Sequence, residues 1–451
     1  MTTSNQLLAG VSELDITPPL GTPMAGHFKA RLSEEIQDPL LAKALVLDDG
    51  KKVIAFVVLD LISLPAVDVA AIRELVEKRI GIPESHVMIS CTHTHTGPVT
   101  RKIDRHPMNV AYCEWMRVRV ADTIQLAWKR RQPAKIGIGS GEQRDLSFCR
   151  RYRMKDGTVV MNPERGDPNI VEPVSPIDPL VGVLYAETLE GKPLAVMGRF
   201  SLHYVGTDNA LAISADYYGH FATEVRKMLE SDCMVMLANG NSAQINAINP
   251  LDLSRPRGSK LSWKTARALA SEVVKVIGCI SLTEDVSVDA VSKKIVLKRK
   301  KLTEQDVKLA EAIMEQVRSG KEVDVEGNFQ WVVGAPLPKA YYPVYAEGNL
   351  RLANVPEEIE SEVQCLKVGN AAWVGLPGEI FVEIGDRIQE ISPTDKTYVL
   401  GLTNDSLGYF PTNHAFQNEG GYETWATAGN PVGPSEDTLV EASLECLKQL
   451  F

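Results

Sequence analysis

The sequence predicts an α/β fold of mixed β-sheets flanked by helices, with an active site at the C-terminal ends of strands. Short apolar runs alternate with stretches of helical periodicity along the whole chain. The 451 residues are 44% hydrophobic and 24% charged, the composition of a globular chain with a large core. Five of the apolar runs each end in a polar cluster, the pattern expected where strands deliver side chains to a crevice. Repeats and low-complexity segments are absent, so residues 1–451 read as one domain, with residues 301–350 as an insertion or cap within it.

Taken in order, the N-terminal "MTTSNQLLAGVSELDITPP" lacks a basic segment followed by an apolar one, and no apolar run reaches membrane-spanning length. A cytoplasmic protein with no membrane anchor is expected. "AVDVAAIRELVEKRIGIP" carries apolar residues at helical spacing and stops at Gly81 and Pro83; "DYYGHFATEVRKMLES" repeats the pattern from Asp216. "KKIVLKRKK", from Lys293 to Lys301, alternates like a strand with a solvated edge. Residues 301–329 turn helical and charged. "LPGEIFVEIGDRIQEI" reads as a helix with Pro377 near its start and Glu379 in its first turn. The seven cysteines (Cys91, Cys113, Cys149, Cys233, Cys279, Cys365 and Cys446) form no CxxC pair and mostly sit in apolar runs, as reduced core thiols do. A formal charge of −10 repels phosphate backbones, which argues against a nucleic-acid partner.

The chemistry concentrates where the apolar runs end. "HVMIS" precedes His93 and His95, "LAVMGRFSL" precedes His203, and "CMVML" precedes "ANGNSAQIN". "AAWVGL" leads to "PGE" with Glu379, and "TYVLGL" to "TNDSLGY" with Tyr409. If the strand direction persists through His95, a period of two aims His93 and His95 at one point. An isolated pair of this kind more often belongs to a hydrogen-bonded turn, its imidazoles satisfying backbone groups. His203, Glu379 and Tyr409 add the nitrogen and oxygen donors that Zn²⁺ accepts. Singly, Glu379 is also a helix-dipole glutamate and Tyr409 a core aromatic. Asp216 reads either as a support for a ligand or as a helix N-cap.

Several segments resemble the catalytic domain of the neutral (alkaline, non-lysosomal) ceramidase family: "AGVSELDITPPLGTPMAGHF", "SCTHTHTGP", "FSLHYVGTDNALAISADYYG", "GLPGEIFVEIG" and "GLTNDSLGYFPTNHAFQNEGGYET". The resemblance implies a zinc ion held by His93, His203, Glu379 and Tyr409. It implies that His95 lies beside the metal and handles a proton, and that Arg150 in "FCRRYRMKDG" and Tyr422 in "GGYET" face the substrate.

One departure stands out. The family's nucleophilic serine lies in a GDVSP motif, and "SAQINAINP" puts Asn246 in its place. An amide is a poor nucleophile, although it donates and accepts hydrogen bonds. Ser242, four residues earlier, reads as a turn residue. The family's C-terminal β-sandwich-like domain and export signal have no counterpart in the chain, which points the expectation toward a small soluble amide or ester. Bound zinc lowers the pKa of water from about 15.7 to about 7, so zinc-bound water replaces serine in this reading. His95 then moves protons, and Arg150, with Asn246 or Tyr422, stabilises the developing oxyanion. Ceramide hydrolysis proper and an inactive metal- or ligand-binding protein are the alternative readings. A phosphatase is disfavoured, since neither a Gly-rich phosphate loop nor the aspartates of a two-metal centre are present.

Overall fold

A computed structural model describes residues 6–101, 107–332 and 335–451. Eight strands form the larger sheet: β1 (Leu8–Asp15), β2 (Leu41–Asp48), β3 (Val53–Leu59), β4 (Val87–Cys91), β5 (Gln132–Glu142), β6 (Leu180–Thr188), β7 (Pro193–Phe200) and β8 (Met234–Asn239). Their spatial order is β8-β7-β6-β5-β1-β2-β3-β4. All pairings are antiparallel except β7 with β8 and β3 with β4. A smaller sheet orders β9 (Val288–Lys298), β10 (Glu358–Val368), β11 (Ala371–Gly375) and β12 (Lys396–Leu400) as numbered, with only β11 and β12 parallel. The mixed sheets expected from the sequence are present.

The period of two explains the layering. In β2 and β3, Ala42, Ala44, Val46, Ala55, Val57 and Leu59 pack under α1 (Ala66–Ile80) and α2 (Val110–Lys129). The alternate residues Leu45, Leu47, Ile54, Phe56 and Val58 face the smaller sheet. Both faces are buried, which is why these strands read as continuous apolar runs. Helices α3 (Asp216–Met228) and α4 (Gly258–Ile277) cover the other half of the large sheet. The outer face of the smaller sheet lies under α7 (Val382–Ile391) and α9 (Glu436–Leu450), with the short α8 (Asn413–Asn418) beside them. At the centre, Trp373 stacks on Tyr398 at 4.5 Å and meets the edge of Phe56 at 5.6 Å.

Local signals behave as physics requires. Gly81 ends α1 in the left-handed conformation, φ 72°, its N–H closing on Glu77. The basic run is an edge strand whose Ile295 and Leu297 point inward while Lys294, Val296 and Lys298 are exposed. It ends at Lys298, and Lys300 is buried, donating to the carbonyls of Trp425 and Asn430 at 2.8 and 3.0 Å. Helix α5 (Glu304–Arg318) begins with a Thr303–Asp306 capping box. Together with α6 (Tyr342–Leu352) it builds a satellite core whose Tyr345 packs on Trp425. All seven cysteines are free, and all but Cys279 are buried. Among the described residues no helix is long and apolar enough to cross a membrane.

Two expectations need correction. Glu379 does not lie in a helical first turn: Glu379–Ile380 pairs in parallel with Tyr409–Phe410, and α7 starts only at Val382. Gly378 makes this pairing possible, because a Cβ there would lie 2.5 Å from the Gly408 carbonyl. Nor does the strand continue through His95, since β4 ends at Cys91 and His93 adopts φ 72°.

Candidate metal centre and active-site cleft

Counted through the pairings, β4 and β7 run in opposite senses, yet their carboxyl ends meet. A twist of about 20–25° per neighbouring pair, accumulated over six steps, is enough to turn such strands toward a common direction. The Asn239 amide at the end of β8 donates to Thr92 just beyond β4, at 3.4 Å. The backbone N–H of Asn404, beyond β12, donates to Ile89 at 2.8 Å. The loops after β4, β7, β8, β11 and β12 therefore share one region.

Inside it, His93, His95 and His203 form a buried group. The left-handed turn at His93, a conformation that costs of order 1–3 kcal/mol in a non-glycine residue, brings His93 and His95 together. His93 Nδ1 lies 2.9 Å from the Ile62 carbonyl, and His203 Nδ1 lies 3.3 Å from that of Ser242. A carbonyl only accepts, so both protons reside on Nδ1 and both Nε2 lone pairs face inward. The two Nε2 atoms are 3.1 Å apart, and His95 Nε2 is 3.2 Å from that of His93. Two acceptors at that distance repel unless a cation lies between them. Glu379 Oε2, 3.4 Å from His93 Nε2, is buried without a hydrogen-bond partner. Donors around tetrahedral zinc, bound at about 2.0–2.1 Å, stand about 3.3 Å apart, so this donor set fits the ion.

The three imidazoles are not equivalent. His95 Nδ1 is buried and, unlike its two neighbours, has no carbonyl in good hydrogen-bonding geometry; the Gly26 backbone is what lies against it. Its ring stacks on Tyr204 at 3.7 Å. Gly26, with φ 91°, packs so closely that a Cβ there would meet the ring at 2.5 Å. Burial, then the His93 charge, holds His95 and His203 well below the ordinary histidine pKa. Both are neutral at pH 7.

Tyr409 is placed beside Glu379 by the short parallel pair, and burial and that carboxylate push its phenol well up. Tyr422 contacts Tyr409 at 5.4 Å and is likewise pushed up to about 12. Arg150 donates from Nε to the fully buried Glu423 at 2.8 Å, while its Nη2 is buried with no partner. Burial opposes its charge, but Tyr409, Glu423 and Glu379 outweigh that and keep the guanidinium ionised.

His93, His95, His203, Glu379, Tyr409, Arg150 and Tyr422 all line one cavity of about 360 Å³. Asn246 lines a second cavity of about 390 Å³, which shares Arg150, Asn162, His203 and Tyr204 with the first. Its Nδ2 donates to Asn162 Oδ1 and its Oδ1 accepts from the Ile248 N–H at 2.7 Å, so the amide is engaged. Ser242 is buried, lines neither cavity, and serves His203 through its carbonyl. Asp216 begins α3 with φ 57°, its Oδ2 accepting from Val205 and Gly206 at 2.8 and 2.9 Å. It fixes the loop that follows His203, a support rather than a simple cap. Sequence reasoning missed Asn162, Gly26 and Arg101, which lines the first cavity and donates from Nη1 to the Ser406 carbonyl at 3.0 Å. Arg101, six residues after His95, was within reach of the motif; Asn162 carried no signal of its own.

No family model matches the chain, and no curated protein matches it. Among solved structures, neutral ceramidase from Pseudomonas aeruginosa superposes with a TM-score of 0.71 at 17% identity, over 98% of this chain and 75% of that one. A ceramidase complexed with C2 gives 0.70 at 17% identity, over 99% and 75%. At such low identity the sheets and helices are what is shared, and the chain has the neutral ceramidase-like fold.

Proposed function

We propose that the chain is a zinc-dependent hydrolase of an amide or ester bond in a small substrate, with water rather than a serine as the nucleophile. The carrying observation is the pair of inward Nε2 acceptors at 3.1 Å beside the partnerless Glu379 carboxylate. His93, His203 and Glu379 hold the ion, with Tyr409 completing the set. Zinc bound there supplies a Lewis acid and a water acidic enough to ionise near pH 7. His95 Nε2, kept neutral by burial, takes the proton released on attack and returns it to the leaving group. The free Nη2 of Arg150 and the protonated Tyr422 phenol donate to the carbonyl oxygen as charge develops on it. Asn246 contributes by holding Asn162.

Elemental analysis of purified protein is expected to find about one zinc per chain, and amides and esters offered to it are expected to be cleaved without a covalent adduct. A serine-bound acyl group in intact-mass spectra during turnover would overturn the water mechanism; absence of stoichiometric transition metal would overturn the metal site.

A further inference from the structure

The two adjoining cavities differ in chemistry. The first, around the histidines, has an apolar and aromatic wall of Phe28, Ile62, Val99, Leu402 and Trp425, with Arg101 and Arg150 among its polar lining. The second is lined by Arg150, Arg165 and Arg257 against a single carboxylate, Glu164. Among the described residues neither Arg165 nor Arg257 has a carboxylate within ion-pairing distance. Arg165 Nη2 donates to the carbonyls of Asp252 and Arg255, at 2.5 and 3.3 Å, while its Nε is buried without a partner. The nearby Asp252 carboxylate is taken by Ser254. Arg257 is exposed at the start of α4, and among the described residues its side chain makes no hydrogen bond. A chain carrying −10 overall thus presents a positive lobe beside its reacting centre, where low-dielectric walls strengthen the field.

We infer that the substrate is an amide or ester with an apolar group on one side of the scissile bond and an oxyanion, carboxylate or phosphate, on the other. The apolar group fills the first cavity. The oxyanion pairs with Arg257, whose planar guanidinium fork matches either anion, and is drawn further by the charge of Arg165, whose Nη2 is already held by two carbonyls. Arg150, shared by both cavities, lies at the junction and serves the carbonyl between them. This rests on the hydrolase reading only for the word substrate; the binding preference stands separately.

Three sulfonamide probes that no hydrolase step cleaves make the test: N-octylsulfonyl glycine, N-octylsulfonyl phosphoethanolamine and the neutral N-octylsulfonyl ethanolamine, titrated calorimetrically into the full chain with its metal. At least one anionic probe is expected to bind tenfold or more tightly than the neutral one, and the stronger of the two names the anion. In R165A/R257A that gap is expected to shrink to threefold or less while the neutral probe's affinity changes less than twofold. R257A alone, at an exposed position, is expected to reduce it partway and guards against misfolding of the double variant. Equal affinities, or a gap that survives in the variants because the metal binds the anion, would overturn the inference. The corresponding N-octanoyl amides are assayed for cleavage in parallel: their resistance would sink the hydrolase reading while the binding result stood.

Discussion

At the scale of single residues, the division of labour among three neighbouring imidazoles follows from what each Nδ1 touches. His93 and His203 are locked by carbonyls and His95 is not. His93→Ala and His203→Ala are therefore expected to lose stoichiometric zinc, whereas His95→Ala keeps it and loses turnover by at least 10²-fold, about the lower range for a general acid–base. Equal zinc loss in all three would instead make His95 a ligand. Acid gives a second test. In the metal-free protein, His95 and His203 have pKa values below the unfolded 6.5, so the unfolded chain binds more protons as pH falls through 6.5. Stability is accordingly expected to be full above pH 6.5 and to decline below it, with a shallower decline in His203→Asn; denaturant titrations across pH 5–8 would show it. For Asn246→Ala, the engaged amide leads to a smaller loss in kcat than the roughly 10²–10³-fold expected of a direct oxyanion donor.

At the scale of elements, the five apolar runs were legible as strands, and so was the convergence of the polar clusters behind them, because a buried strand must be apolar and its end must not be. What was not legible was the backbone between strand and side chain. The histidines meet through a positive φ at His93, and Glu379 reaches them from a two-residue strand; neither feature has a periodicity long enough to read. Gly26 illustrates the limit, since its requirement comes from a ring 69 residues away in the sequence. Gly26→Ala is expected to displace the His95 ring and lower kcat at least tenfold with zinc content unchanged. Zinc analysis and steady-state kinetics on one preparation would separate that outcome from general misfolding.

At the scale of the whole molecule, the two sheets meet over Trp373, and the site is assembled where their strands end. Trp373→Ala is expected to cost about 3–5 kcal/mol, measured by denaturant unfolding, a loss comparable with much of a domain's stability. The positive lobe escaped sequence reading for a related reason: Arg150, Arg165 and Arg257 come from separate stretches and mean nothing until the chain folds. For the proposed metal site, the same separation would govern when an ion could bind. His93 and His203 stand 110 residues apart, and Glu379 comes from still further along the chain. Contacts so distant in sequence form late, after the loops between them have closed. A nascent chain emerging from the ribosome offers only the local His93–His95 pair, too few donors to seize whichever cation is abundant. Under the proposed function, selection of the ion would be left to a finished cage, whose spacing rather than raw affinity discriminates among competitors.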